Sequence, residues 1–128
     1  MTERTAPIRV LLVEDSDVYR ESLVFLLGRV VGIDVVGAVA TGASAGRACA
    51  ELWADVAVID YRLPDVDGAQ AAADVRERCP RASVVFLSAS TGEEELAAAR
   101  RLDAPLVRKD AGLDALVEAV RAARPATP

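Results

Sequence analysis

Glu14, Asp15, Asp60, Ser88 and Lys109 are the residues whose types, taken together, point to chemistry. Each alone has a plainer role. Glu14-Asp15 suits a helix N-terminus, where the dipole favours acids. Asp60 suits a turn, with Asp65, Asp67 and Gly68 close behind it. Ser88 suits a backbone partner, and Lys109 a solvated helix start. What unites them is position, since each stands at the end of a short apolar run. If those runs are neighbouring strands, the side chains converge on one edge, because adjacent strands lie about 4.8 Å apart. Three carboxylates gathered there repel one another, and one ammonium cannot neutralise them. A divalent cation offsets the remainder, and oxygen ligands without His or Cys suit Mg²⁺. Mg²⁺ and an ammonium beside a carboxylate and a hydroxyl make a phosphoryl-transfer site. The metal and Lys109 would hold phosphoryl oxygens, and a carboxylate would be the nucleophile. Lys109 is the only Lys among 15 basic residues, and a compact point charge suits this task better than a forked guanidinium.

The elements that must position these groups are legible in the hydropathy pattern. Apolar runs at Ile8–Val13, Asp34–Val39, Asp55–Asp60, Ser83–Ser88 and Pro105–Arg108 read as strands buried on both faces. Helical periodicity fills the gaps. Tyr19, Leu23, Leu26, Leu27 and Val30 form a first stripe, with Ser16 as N-cap and Gly32 as stop. A second helix is expected over 44–53 and a third over 68–79, ended by Pro80. Thr91-Gly-Glu-Glu94 has the pattern of a capping box opening a fourth, Ala-rich helix with Leu96 and Leu102 as its apolar groups. A fifth follows Asp110, with Leu113, Leu116, Val117 and Val120 facing inward. Five βα units predict an α/β doubly wound sandwich around a parallel five-stranded sheet. In the order 2-1-3-4-5, Asp15, Asp60 and Ser88 stand side by side and the Lys109 stem reaches inward.

Composition narrows the classes. With 128 residues the chain fits one domain, and 52% hydrophobic content is too rich for disorder. The absence of His excludes His-based catalysis and His-ligated metals. A net charge of −5 argues against nucleic-acid binding by this chain, and no apolar run is long enough to span a membrane. Cys49 and Cys79 lack a CxxC spacing and read as two reduced, packed thiols. With no apolar signal-peptide core, the expected location is the cytoplasm.

The pieces IRVLLVEDS at 8–16, DVAVIDYRLPDVDG at 55–68, VVFLSAS at 84–90 and RKD at 108–110 occur in order at the strand ends. Together they resemble the receiver domain of bacterial two-component response regulators, with wording closest to receivers of LuxR-type helix-turn-helix regulators. The resemblance implies a flavodoxin-like (βα)5 fold over residues 8–123, flanked by an N-terminal extension at 1–7 and a linker or frayed tail at 124–128. It also implies a switch rather than an enzyme. Asp60 is then the phosphoacceptor. Glu14 and Asp15 match the acidic pair that holds Mg²⁺, Asp15 directly and Glu14 through water. The Arg62 backbone carbonyl matches the third protein contact to the metal. Ser88 matches the hydroxyl that turns to the phosphoryl group, Lys109 the lysine that pairs with it, and Pro64 and Gly68 the shape of the loop after the acceptor. The implied partners are a sensor histidine kinase as phosphodonor, a second copy on phosphorylation, and DNA only through a domain outside this chain.

Two departures from the family's pattern stand out. The aromatic usual three residues before the lysine is replaced by Leu106, which offers neither ring nor phenol. The segment Leu102-Asp-Ala-Pro105 lacks the common Gly-Ala. They motivate an alternative, a pseudo-receiver or stand-alone receiver acting through protein contacts without phosphorylation. Ser90 and Arg62 occupy positions that tune phosphoryl lifetime in the family. A haloacid-dehalogenase-type phosphatase would need an acid where Arg62 stands. Nucleotide binding lacks a glycine-rich phosphate loop after the first strand.

Overall fold

The computed structural model describes residues 6–125; positions 1–5 of the expected extension and 126–128 of the expected tail lie outside them. Five strands form one sheet: β1 (Ile8–Val13), β2 (Ile33–Val39), β3 (Val56–Asp60), β4 (Ser83–Ser88) and β5 (Leu106–Arg108). The order is β2-β1-β3-β4-β5, and all four pairings are parallel. The helices are α1 (Asp17–Leu27), α2 (Ala45–Leu52), α3 (Gly68–Arg78), α4 (Glu93–Arg101) and α5 (Leu113–Ala123). Short 3₁₀ turns precede α2 at Gly42–Ser44 and α5 at Lys109–Ala111.

Alternation along each strand divides the interior into two layers. Val10, Leu12, Val58, Val85 and Leu87 face α1 and α5, where they meet Leu23, Leu27, Leu116 and Val120. Leu11, Val13, Ala57, Ile59 and Phe86 face the other way, toward Ala45, Ala71, Ala72, Ala98 and Ala99. Cys49 and Cys79 are buried free thiols in that second layer, with Cys79 Sγ 3.8 Å from the Cys49 carbonyl oxygen. Burial and the neighbouring Cys79 thiol push the Cys49 thiol up to about 12, which keeps it inert as a nucleophile.

The helix ends differ from the sequence pattern in three places. α1 closes at Gly28 rather than at Gly32, and Leu26, expected inward, is 41% exposed. The inward stripe is narrower because only Leu23 and Leu27 meet the sheet squarely. Trp53 ends α2 in the left-handed conformation (φ 55°) instead of continuing it. Thr91 does not cap α4; Gly92 is the N-cap residue, so the acid at the third helical position is Glu95 rather than Glu94.

Candidate functional site

The carboxyl edge of the sheet carries the five expected groups, Glu14, Asp15, Asp60, Ser88 and Lys109. β1 carries Glu14 out of the ladder, its N–H still donating to the Val39 carbonyl at 3.0 Å. Ser16 then caps α1, its Oγ accepting from Tyr19 N at 3.3 Å, while Ser16 N donates to Glu14 Oε2 at 3.0 Å. This local turn fixes Glu14 inward, 1% exposed, and leaves Asp15 exposed at the rim. Asp60 ends β3 at 5% exposure, with Oδ1 accepting from Arg62 N at 3.0 Å. The loop beyond closes where Gly68 N donates to the Tyr61 carbonyl at 2.7 Å. A Cβ on Gly68 would lie 2.5 Å from Tyr61 Cα, so only glycine permits that return.

Lys109 arrives from the end of β5 and bridges the two buried acids. Its Nζ donates to Glu14 Oε1 at 2.8 Å and to Asp60 Oδ2 at 3.0 Å. The same ammonium lies 4.5 Å from the centroid of the Tyr19 ring. Burial works to lower the Lys109 pKa, but the hydrogen bonds and charges of Glu14 and Asp60 outweigh it and hold the group above its ordinary value. The lysine is therefore charged throughout the neutral range. Burial raises the Tyr19 phenol against the opposing charge of Lys109, so that ring stays neutral.

Ser88 ends β4 beside β3 and is 1% exposed. Its Oγ accepts from Ser90 N at 3.2 Å. Leu106, at the position of the missing aromatic, is half-buried against the Ala-rich layer.

The donor set fits a hard cation. Glu14, Asp15 and Asp60 each offer one carboxylate oxygen, and these atoms lie within 4.8 Å of one another. All are oxygens, the ligand type that Mg²⁺ prefers. Among the described residues this is the only such cluster.

Two functional neighbours escaped the sequence reading. Tyr19 packs against the α1/α5 layer as the helical stripe predicts, and its ring also forms one wall of the lysine site. Glu95 was one of three consecutive acids in a first helical turn, yet it is 2% exposed and accepts from Arg62 Nη2 at 3.0 Å and Ser90 Oγ at 2.9 Å. A shift of the cap by one residue was the signal that singles it out.

Comparison with known proteins agrees with this architecture. The family model "Response regulator receiver domain" matches residues 10–121. The chain is 37% identical over 89 residues to the DNA-binding transcriptional activator DevR/DosR of Mycobacterium tuberculosis, covering 70% of this chain and 41% of that protein. It is 34% identical over 88 residues to protein-glutamate methylesterase/protein-glutamine glutaminase 2 of Koribacter versatilis, covering 69% and 24% respectively. The signal receiver domain of the response regulator NarL from Mycobacterium tuberculosis superposes with a TM-score of 0.81 at 30% identity, covering 91% of this chain and 98% of that domain. The chain thus belongs to the receiver-domain family of two-component response regulators. It spans less than half the length of the two curated relatives, one a transcriptional activator and the other named as an enzyme. Among the described residues, no helix is long and apolar enough to cross a membrane.

Proposed function

We propose that Asp60 accepts a phosphoryl group from a phosphohistidine of a sensor kinase and that the modified chain switches an output face. The observation that carries this reading is the Lys109 ammonium held against Asp60 Oδ2 at the open edge of the sheet. An Asp60 oxygen attacks phosphorus, the P–N bond to the imidazole breaks, and the freed imidazole nitrogen takes a proton. The product is an acyl phosphate, whose added negative charge Lys109 offsets and whose oxygens the Ser88 hydroxyl meets by donating a hydrogen bond. Hydrolysis returns the carboxylate and inorganic phosphate.

Glu14, Asp15 and Asp60, with the Arg62 carbonyl, would hold Mg²⁺. Bound there, the ion supplies positive charge toward the phosphoryl oxygens. Residues 8–123 act as the receiver, and 124–128 are a linker or a frayed tail. By analogy with the DNA-binding transcriptional activator DevR/DosR, the output is transcription through a DNA-binding domain outside this chain, with a second copy recruited on phosphorylation. The chain works in the cytoplasm in this reading.

Incubation with Mg²⁺ and acetyl phosphate is expected to add one phosphoryl group by intact mass. Asp60→Asn removes the adduct, and a chelator suppresses it in the wild type. An adduct that persists in Asp60→Asn would overturn the assignment. No adduct together with no beryllofluoride-induced NMR shifts would favour a receiver that works without phosphorylation.

A further inference from the structure

α4 is attached to the sheet in an unusual way. Its buried residues are Glu95, Ala98 and Ala99, so a carboxylate is the largest side chain it buries. Leu96 is 37% exposed, and beside it a cleft of about 440 Å³ opens between α4 and Leu106. Two methyl groups, with the half-buried Leu102 packed on the same layer just past the helix end, give modest apolar anchorage. The directional contacts at Glu95 must therefore carry much of the helix's placement.

Those contacts lead back to the acceptor by two routes. On one side Glu95 Oε2 accepts from Arg62 Nη2 at 3.0 Å, and the Arg62 amide donates to Asp60 Oδ1 at 3.0 Å. On the other the same oxygen accepts from Ser90 Oγ at 2.9 Å, and the Ser90 amide donates to Ser88 Oγ at 3.2 Å. Asp60 and Ser88 are thus each linked to Glu95 through one intervening residue, Arg62 or Ser90, whose amide holds the site and whose side chain holds the glutamate. Gly92 leaves the room this requires, since a Cβ there would lie 2.9 Å from Glu95 Oε1.

We propose that Glu95 is the positioning residue that couples the state of Asp60 to α4, a task that Leu106 has no ring or hydroxyl to perform. The inference rests on the phosphoacceptor reading above. A Ser88 hydroxyl that rotates toward a phosphoryl group leaves the Ser90 amide, and a modified Asp60 changes what the Arg62 amide meets. Both changes reach one buried oxygen, and only modest apolar contact opposes a shift of the helix that bears it.

The test is amide hydrogen exchange with and without Mg²⁺ and beryllofluoride. In the wild type, beryllofluoride shifts the amide signals around Asp60 and Lys109 and changes exchange over 96–102 several-fold. In Glu95→Ala the site signals still shift, but 96–102 exchanges roughly tenfold or more faster from the outset, since both hydrogen bonds to the carboxylate are lost, and no longer responds to beryllofluoride. Glu95→Gln keeps the length and an acceptor for Ser90 but loses the ion pair, and its α4 response is intermediate. It also serves where the alanine variant folds poorly. Leu106→Ala retains the wild-type α4 response. A full α4 response in the glutamate variants, or one lost in Leu106→Ala instead, overturns the inference. Site signals that fail to shift even in the wild type overturn the phosphoacceptor reading itself.

Discussion

On one face of the sheet α5 buries Leu116, Val117 and Val120, while on the other α4 buries Ala98, Ala99 and the carboxylate of Glu95. The two helices flank the same short strand, β5, whose Leu106 faces the layer of α4 and whose Val107 faces that of α5. Apolar burial is non-directional and is lost in proportion to area, so α5 resists displacement over its whole length. Hydrogen bonds to one oxygen are lost when their geometry changes, so α4 is held at a point. The difference teaches that a rigid sheet can carry a fixed helix and a releasable one side by side, by varying the size of what each inserts.

The largest effect belongs to the fixed helix. Leu116 is 2% exposed, and Leu116→Ala should cost about 2–5 kcal/mol in urea unfolding. A cost near that of an exposed leucine would break the comparison. Ala98→Gly in α4 should cost about 1 kcal/mol in helix propensity and about 1 kcal/mol more for the buried methyl, and accelerate exchange in that helix without spreading to α5. The smallest effect is expected at the start of α5, where the exposed pair Arg108–Asp110 (2.7 Å) spans two residues. Asp110→Asn should leave the urea midpoint unchanged within error. The Arg108 hydrogen bond holds the Asp110 carboxyl below its ordinary value. Its small contribution is therefore present above the usual aspartate range and fades as pH falls through the lowered one. An Asp110→Asn midpoint well below wild type at neutral pH would break this ordering of effects.

Strand positions and the meeting of Asp60 and Lys109 at one edge were legible because buried parallel strands have continuous apolar runs and their ends are polar. The strand starts at Asp34, Asp55 and Pro105 were less so. β2 instead begins one residue earlier, at Ile33, and β3 and β5 one residue later. Asp55 caps the amino end of the sheet instead, accepting from the Arg9 amide at 2.9 Å and from Arg81 at 2.6 Å. The tie from Lys109 to Glu14 was hidden because an acidic pair does not say which member turns inward. The Ser16 turn decides it, and it selects Glu14. Glu95 was hidden for a related reason. In a run of three acids the helix dipole favours all of them equally, and only the true cap position shows which one folds under the loop.

A sole lysine resting on an aromatic face also makes the molecule its own reporter. Reductive methylation with isotopically labelled formaldehyde would tag just one side chain, besides the terminal amine. The ring current of Tyr19 would set that methyl signal apart from a solvated lysine. Any event that lifts the tag off the ring would be read as a single moving peak in the purified protein.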